Sequence, residues 1–480
     1  MNFADAMRAQ TNTTRTENGA RAYTTTGSAN LDLFARIGGL RRANENEILS
    51  AWRAARAEDS TLADNMILYA RNIREGGIGE RRIAKILLRE LAQYDPEKVL
   101  RNFQTIADAG RWDDLWLAFE NTSVEGAMWN FVRKQFIADA QAMKNGESVS
   151  LLAKWMPSVN TSSAETRRLA RKICRTFGLS EKTYRKTLSA LRKHIDVVEK
   201  KMSAQDFAKI NYEAVPSVAM TRYRSAFGRH DFARFDSYLK AVNKGEAKIN
   251  SGVSYPYELI KPYMQGRGID QTLEAQWKAL PNYVDDNYNV VVMSDVSGSM
   301  SGQPMEVSVS LGIYFAEHNK GAYENMFMTF TDVPKLYELN PNTPVYNRVR
   351  EVKSHVGYNT NLDGALKEIY RIASQCREVP KALVVISDGE IDYFCSRHNV
   401  DSIVSKWQEK YAEIGLQAPK IIMWNVESRG SRFLEKKSNA GISYISGASA
   451  ATFKELTTLI TMDAETAMRK ILMKPQFCWA

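Results

Sequence analysis

Apolar residues recur at helical spacing from about residue 30 to residue 270, and alternating strand patterns are absent from this stretch. The segment ERRIAKILLRELAQY, residues 80–94, shows the pattern, with an apolar stripe of Ile83, Ile86, Leu87, Leu91 and Tyr94. Asp95 followed by Pro96 predicts the N-cap and first turn of the next helix, whose apolar stripe is Leu100, Phe103 and Ile106. The stretch therefore predicts short helices joined by short connections, as in a HEAT-like α-helical repeat array.

The pattern changes after about residue 288. Short continuous apolar runs replace the helical stripes: NVVVM, ENMFMTF, ALVVIS and KIIMWNV. Such runs are typical of strands that are buried on both faces. Amphipathic helical segments lie between them, namely MEVSVSLGIYFAEH, NLDGALKEIYRIASQC and NVDSIVSKWQEKYAEIG. This alternation predicts a parallel, doubly wound α/β sheet with a ligand site at the carboxyl ends of its strands.

These patterns divide the chain into three predicted regions. Residues 1–29, rich in Thr, Asn and Arg, form an arm without a core of its own. Residues 30–285 form the helical-repeat domain, and residues 286–480 form the α/β domain. Gly and Pro residues between 245 and 287 mark the junction between the two domains.

The composition is that of a globular protein, since 44% of the 480 residues are hydrophobic and 25% are charged. No apolar run is long enough to cross a bilayer, and the polar start lacks the hydrophobic segment of a secretory signal, so no membrane association is expected. The four cysteines, Cys174, Cys376, Cys395 and Cys478, are far apart and have no C-x-x-C spacing. A cytoplasmic protein with reduced thiols is therefore expected.

The positive charge is concentrated in the first part of the chain. The net charge is +10, yet residues 288–480 hold 21 basic and 21 acidic residues. The charge is densest in residues 167–201, where twelve Lys and Arg stand against three acids. Gly178 is predicted to end one helix there and Ser180 to cap the next, which gives a helix–turn–helix hairpin. The second helix is predicted to run for about 20 residues, along a buried stripe from Leu188 to Met202.

Three interpretations of this hairpin stay open. A charge run is often a solvated face, although uncompensated cations repel one another and favour a polyanion. The turn imitates a DNA-reading helix-turn-helix, but its second helix is long and lies within the helical array. We favour RNA binding through phosphate contacts. The candidate nucleic-acid-binding residues are Arg167, Arg168, Arg171, Lys172, Arg175, Lys182, Arg185, Lys186, Arg192, Lys193, His194, Arg222 and Arg224.

Aromatic residues are interspersed with these cations. Tyr184, His194, Tyr223 and Phe227 are candidates for stacking on unpaired bases. They have an equally good interpretation as ordinary core residues, above all Phe227.

A second constellation lies on three loops of the α/β part. SDVSGSM places Asp295, Ser297 and Ser299 at alternate positions after the first predicted strand. GYNTNLDGAL carries Thr360, and ISDGE carries Asp388. Hydroxyl and carboxylate oxygens suit Mg²⁺ or Mn²⁺, so these five residues are the candidate metal ligands. The alternative for SDVSGSM is a plain Asx or ST turn that caps a helix.

Catalysis is not expected at this site. Hydrolysis needs a base beside a metal-bound water, and the candidates nearby in sequence are Glu390 and Asp392. Both have an equally good interpretation as solvated loop acids. The sequence therefore predicts a ligand-binding site and no catalytic residues.

The metal motif resembles the metal-ion-dependent adhesion site (MIDAS) of von Willebrand factor A (vWA) domains, over roughly residues 286–480. The resemblance implies that Ser297, Ser299 and Thr360 bind the cation directly, while Asp295 and Asp388 act largely through water. Two carboxylates compensate a divalent cation only weakly, so the site favours an acidic oxygen from a partner as its last donor. A protein partner that presents Asp or Glu is therefore implied.

The two halves together resemble the Ro autoantigen (TROVE) family. The segments NGARAY, YARNIREGGIGERR and ADAGRWDDL are similar to those that open the helical domains of that family. The chain looks closer still to an uncharacterised TROVE-like family of bacteria, phages and plants, on AKWMPS at 153–158, YRKTLSALR at 184–192 and YEAVPSVAM at 212–220. The resemblance implies binding of small structured or misfolded RNA, as in a ribonucleoprotein, and covers nearly the whole chain.

The leading hypothesis is a non-catalytic RNA-binding protein whose A domain closes or braces the helical array and offers a Mg²⁺ site. The first alternative is an assembly or scaffold protein whose metal site grips an acidic residue of a protein partner. The second is a DNA-binding regulator that uses the hairpin.

Overall fold

The computed structural model describes residues 12–16, 21–284, 289–329, 333–355, 361–390, 400–428, 430, 432–434, 436–438 and 440–480. The chain folds into two compact units. The sheet unit comprises residues 1–83, 216–221 and 249–478, and the helical unit comprises residues 84–215, 222–248 and 479–480. These two units do not coincide with the three regions predicted from the sequence, whose boundaries lie at 29/30 and 285/286. Those boundaries stay a prediction.

The described chain through residue 284 is helical apart from one short antiparallel hairpin. The hairpin strands are β1 (Thr13–Arg15) and β2 (Arg21–Tyr23). The helices are α1 (Ala29–Arg36), α2 (Glu45–Glu58), α3 (Ser60–Arg71), α4 (Arg81–Tyr94), α5 (Pro96–Arg101), α6 (Phe103–Ala109), α7 (Trp112–Phe119), α8 (Glu125–Lys144), α9 (Leu152–Trp155), α10 (Ala164–Phe177), α11 (Glu181–His194), α12 (Val198–Ser203), α13 (Ser217–His230), α14 (Phe232–Asn243), α15 (Pro256–Met264) and α16 (Gln271–Lys278). No helix among the described residues has the length and apolarity needed to cross a bilayer.

Strands and helices alternate from residue 289 onwards. The strands are β3 (Val290–Ser294), β4 (Met326–Thr329), β5 (Leu336–Glu338), β6 (Ala382–Ser387), β7 (Lys420–Asn425) and β8 (Ile442–Ser446). The helices are α17 (Gln303–His318), α18 (Val345–Ser354), α19 (Leu362–Cys376), α20 (Val400–Glu413), α21 (Leu456–Thr461) and α22 (Ala464–Leu472). The predicted change from a helical region to an α/β region is confirmed.

The six strands form one mixed sheet in the order β5–β4–β3–β6–β7–β8. Neighbouring strands are parallel except for β5, which pairs antiparallel with β4. The four predicted strands are β3, β4, β6 and β7; β3 and β6 are buried along their whole length, as continuous apolar runs require. The four predicted strands pair parallel as expected, and the departure from a parallel sheet is the antiparallel edge strand β5, which was not predicted. The chain reverses its direction of travel across the sheet between β3 and β6, where a doubly wound sheet opens a crevice.

The described part of the predicted N-terminal arm belongs to the core of the sheet unit. Tyr23 exchanges backbone hydrogen bonds with Phe433, at 2.8 and 2.9 Å. After α1, the backbone at Gly38 comes so close to Gly447, just after β8, that a Cβ on Gly38 would lie 2.3 Å from the Gly447 nitrogen. Only glycine permits this approach, so Gly38 fixes α1 against the end of the sheet.

The helical unit has an aromatic core between α7, α8, α10 and α11. Trp116 stacks on Trp129, with ring centroids 5.9 Å apart, and Phe136 contacts both Phe177 and Tyr184. Two predicted continuous helices are each broken in two. The helix that begins at Pro96 stops at Arg101 before α6 begins. The helix predicted across 180–201 ends at His194, because Asp196 takes a left-handed conformation with φ 56°.

Candidate metal centre and nucleic-acid interface

The candidate metal residues meet at the crevice between β3 and β6. Asp295 follows β3 and Asp388 follows β6, and these two strands are adjacent and parallel. The backbone nitrogen of Asp295 donates to the carbonyl of Ile386 at 3.0 Å, which extends the ladder to the first residue of the motif. The sheet register therefore brings together two carboxylates that are 93 positions apart in the sequence.

Asp295 is fully buried and is held by neutral donors. The backbone N–H of Ser297 donates to its Oδ1 at 2.9 Å, and the hydroxyl of Ser387 donates to its Oδ2 at 2.7 Å. Burial and, to a smaller extent, the negative charge of Asp388 together raise the pKa of Asp295 to about 6, against the hydrogen bonds that lower it. A positive charge placed between the two carboxylates would offset the burial of the Asp295 charge and its repulsion by Asp388, and would therefore lower the pKa of Asp295.

The remaining described oxygens complete one cluster. The hydroxyls of Ser297 and Ser299 are 3.0 Å apart. Asp388 is buried, and its Oδ1 accepts from the backbone N–H of Glu390 at 3.1 Å. Thr360 lies outside the described residues. Two buried acids beside paired hydroxyls are hard oxygen donors, so the residues present fit Mg²⁺ or Mn²⁺. No group of three or more His, Cys, Asp or Glu able to hold a metal occurs in the described ranges.

Two neighbours of this cluster differ from the sequence interpretation. Ser387 was not predicted as part of it, although a serine that ends a buried strand next to Asp388 was a usable signal. Glu390 is not a solvated loop acid, because it is only 3% exposed and forms an ion pair with Arg432. A carboxylate held by a guanidinium is a poor general base. Asp392 lies outside the described residues.

The predicted hairpin is present in the helical unit with both of its caps. Gly178 ends α10 in the left-handed conformation, with φ 68°. The side chain of Ser180 accepts from the backbone N–H of Thr183 at 3.1 Å and caps α11. Both features follow from local sequence, which is why they were predictable.

Four of the candidate cations on α10 are engaged within the protein. Arg168 and Lys172 form ion pairs with Glu120, at 3.1 and 3.3 Å, and Lys172 also pairs with Glu125. Arg171 pairs with Glu181 at 3.2 Å. Arg167 donates to the carbonyls of Thr161 and Ser162. The effective charge of α10 is therefore smaller than the residue count implied, because Glu120 and Glu125 lie outside the segment that was counted.

A second group of candidate cations remains available. Five side chains on the hairpin are exposed and have no ion pair among the described residues: Arg175, Lys182, Arg185, Lys186 and Lys193. Four of them lie on α11. Arg222 is exposed and Arg224 is half-buried, and both lie on α13 and not on the hairpin.

The predicted stacking residues are mostly core residues. Tyr184 and Phe227 are both fully buried. Tyr223 is half-buried and donates its hydroxyl to Glu199 at 3.2 Å. His194 is exposed, with its Nε2 2.8 Å from the carbonyl oxygen of Glu147. The interpretation of Tyr184 and Phe227 as core residues is therefore the correct one.

Comparisons with known proteins match two regions of this chain to protein domains and most of its length to one viral protein. Residues 131–289 match the model for a domain of unknown function, DUF2828, and residues 289–472 match that for another, DUF7788. The uncharacterised protein L728 of Acanthamoeba polyphaga mimivirus is 30% identical over an alignment that covers 92% of this chain and 83% of the viral protein. The chain belongs to the family of protein L728. The crystal structure of the Deinococcus radiodurans RO (RSR) protein aligns over 92% of each chain at 16% identity, with a TM-score of 0.37, which is too low to establish a common fold.

Two sequence segments of this L728-family chain, residues 153–158 and 184–192, meet beneath α11. The guanidinium of Arg192 donates to the carbonyls of Ala153 and Met156 and to the Ser158 hydroxyl, at 2.5 to 2.8 Å. The hydroxyl of Tyr184 donates to the carbonyl of Pro157 at 2.7 Å. Arg192 was predicted to contact nucleic acid, but its donors are occupied by the AKWMPS segment. In this member of the L728 family, its observed contacts position α11.

Replacing Arg192 by Gln is expected to lower the free energy of unfolding by about 1–2 kcal/mol, because the carbonyls at the end of α9 lose their donors. The measurement is thermal unfolding followed by circular dichroism. Lys193→Gln is the matched control, since Lys193 is exposed and has no ion pair among the described residues. Equal melting temperatures for the two variants would show that Arg192 does not hold this segment.

Proposed function

We propose that this chain is a non-catalytic RNA-binding protein that holds RNA through the α10–α11 hairpin. The observation that carries the proposal is the set of five exposed cations without ion pairs among the described residues, on one hairpin of the helical unit. Lysines at 182, 186 and 193 and Arg185 recur at helical spacing, so they share one side of α11. Uncompensated cations on a rigid helix suit the phosphates of a polyanion.

The family resemblance supports RNA as that polyanion. The segments similar to a TROVE-like family, AKWMPS, YRKTLSALR and YEAVPSVAM, lie within the DUF2828 match at 131–289. A Ro-like role with small structured or misfolded RNA, in a cytoplasmic ribonucleoprotein built on HEAT-like repeats, is the form of this proposal that the resemblance favours.

We also propose that the α/β part is a vWA-like domain with a MIDAS. Asp295, Ser297, Ser299, Thr360 and Asp388 would hold Mg²⁺ or Mn²⁺. The strand order, the crevice between β3 and β6, and the buried oxygen donors support this assignment. Bound there, the cation supplies an open position for an acidic oxygen donor.

The metal cluster also favours a second candidate function, an assembly or scaffold protein. The buried carboxylate of Asp295, whose pKa is raised by burial and by the charge of Asp388, is costly without a cation, and a cation there attracts an acidic residue of a protein partner. Native purification after nuclease treatment separates the two functions. A stoichiometric protein partner that EDTA releases supports the scaffold, and RNA that co-purifies without nuclease supports the first function.

The triple variant Lys182→Gln, Arg185→Gln, Lys186→Gln is expected to weaken RNA binding and to flatten its salt dependence. Each lost phosphate contact should reduce the slope of log affinity against log salt by about 0.7–0.9. Fluorescence anisotropy with a labelled stem–loop RNA, from 50 to 300 mM KCl, measures both quantities.

The matched control removes three exposed cations of the sheet unit, Arg267, Lys278 and Lys367, none of which has an ion pair among the described residues. The control has the same net charge as the test variant. Equal slopes for the two variants would mean that net charge, and not the α11 surface, drives binding. An unchanged affinity in the test variant would refute the proposed surface.

A further inference from the structure

The start of α14 exposes an aromatic ring. Phe232 is 69% exposed, more than any other large apolar side chain among the described residues. It is the first residue of α14 and directly follows the N-cap position, Asp231. The Phe232 ring is therefore apolar surface in contact with water that a bound ligand can cover.

A second ring lies two residues earlier. His230, the last residue of α13, stacks on Phe207, with ring centroids 4.7 Å apart and planes inclined by 14°. Phe207 is buried, at 6% exposure, whereas His230 is exposed. Phe207 therefore supports one face of the imidazole and leaves the other face accessible. A rigid, half-covered ring is the arrangement on which a flat aromatic ligand stacks with little entropic cost.

The surroundings of these rings fit a nucleotide. Arg229 is exposed and has no ion pair among the described residues, so it is available to a phosphate. Arg234 is fixed by Asp231 and by the carbonyls of Phe207 and Ile210, at 2.8 to 2.9 Å.

A groove of about 430 Å³ begins at Ala233, the residue after Phe232, and is lined by polar and aromatic groups that include Asn211, Tyr212, Ser237 and Tyr238. Tyr212 and Tyr238 donate their hydroxyls to Asp231 and to the carbonyl of Lys248, both at 2.7 Å, so we assign the Ser237 hydroxyl and the Asn211 amide nitrogen to the hydroxyls of a sugar.

We propose that His230 and Phe232 form a stacking site for an unpaired nucleobase of RNA, with Arg229 on the adjacent phosphate. The proposal rests on the proposed RNA-binding function and adds to it a single-stranded segment, read at a place separate from the hairpin. It also replaces two of the stacking residues predicted from sequence, Tyr184 and Phe227, since both are buried. Stacking of one base is worth about a 5- to 150-fold change in affinity.

The test uses the full chain with three labelled probes: a single-stranded 12-mer oligoribonucleotide, the same 12-mer with abasic sites throughout, and a blunt-ended RNA duplex. Phe232→Ala and His230→Ala are each expected to weaken binding of the 12-mer at least 5-fold. Binding of the abasic strand and of the duplex should stay unchanged, because neither presents an unpaired base. Phe232→Trp should bind the 12-mer as the wild type does, because it keeps an aromatic ring at this position.

Ile137→Ala is the matched control, because Ile137 is 56% exposed in the same unit and lies on α8. An equal loss for the 12-mer and its abasic form would overturn base stacking, and so would an unchanged affinity in Phe232→Ala. If the hairpin variant weakens duplex binding while Phe232→Ala changes nothing, the stacking site fails and the proposed function stands. If the wild-type chain binds none of the probes, both fail.

Discussion

Replacing Gly38 by Val is expected to destabilise the sheet unit by about 3–5 kcal/mol, or to prevent its folding. A Cβ at this position would lie 2.3 Å from the nitrogen, and 2.4 Å from the Cα, of Gly447. Both are backbone atoms, held where Gly447 donates to the carbonyl of Asn425 at 2.9 Å. Neither chain segment can move away without breaking the hydrogen bond from Gly38 to the Ser446 hydroxyl, also 2.9 Å long.

Thermal unfolding by circular dichroism, together with the yield of protein in the soluble fraction, measures this effect. Gly126→Ala is the control, because a Cβ on Gly126 meets no atom within 4 Å and Gly126 lies inside α8. The control is expected to be neutral or to gain about 0.5–1 kcal/mol from helix propensity. A Gly38→Val protein that melts with the wild type would show that α1 does not dock against Gly447.

Mg²⁺ is expected to raise the melting temperature of the protein at pH 7.5, and Asp295→Asn is expected to abolish that rise. A cation at 100 times its Kd stabilises the native state by about 2.7 kcal/mol. In EDTA, the Asn variant should be at least as stable as the wild type, because it removes a buried carboxylate whose pKa is raised. Differential scanning fluorimetry with a Mg²⁺ titration measures both responses.

The contribution of Asp295 to the pH dependence of stability should have opposite signs in EDTA and in Mg²⁺. The pKa of Asp295 in the folded protein is about 6, against an ordinary value of 3.8, so the native state binds the extra proton between these two values. In EDTA this residue therefore lowers stability as the pH rises from about 4 to about 6. With Mg²⁺, protons compete with the cation, so the stabilisation by Mg²⁺ should grow as the pH rises through about 6.

Glu338→Gln is the control for this experiment, because Glu338 is an exposed acid on the edge strand β5. It should respond to Mg²⁺ as the wild type does. A Mg²⁺ response that survives in Asp295→Asn would place the cation elsewhere, and no response in the wild type would refute the metal site.

Local signals in the sequence were reliable where one short segment decides the structure. Gly178 and Ser180 cap the hairpin helices as predicted, and Asp95 with Pro96 starts α5. The runs NVVVM and ALVVIS contain β3 and β6, because a strand with both faces buried needs a continuous apolar run. β5 was missed because it is three residues long and half exposed, which leaves almost no pattern.

Long-range pairings were not predictable from these segments. The acids Glu120 and Glu125, which both pair with Lys172, lie about 50 residues before it in the sequence. Arg192 looked like a surface cation by its residue type, yet the carbonyls of Ala153 and Met156 occupy its donors. Such partners follow from helix packing, for which one sequence carries no direct signal.

The sequence by itself determined the division into a helical and an α/β region, the helix caps and the buried strands, because each depends on residues close together along the chain. Only the tertiary structure decided which cations stay exposed, which aromatic rings are buried, and that α1 docks beside β8 within the sheet unit. These depend on contacts between residues tens to hundreds of positions apart. Such contacts are set by the packing of whole faces, and a pattern in one segment does not identify the face that will cover it.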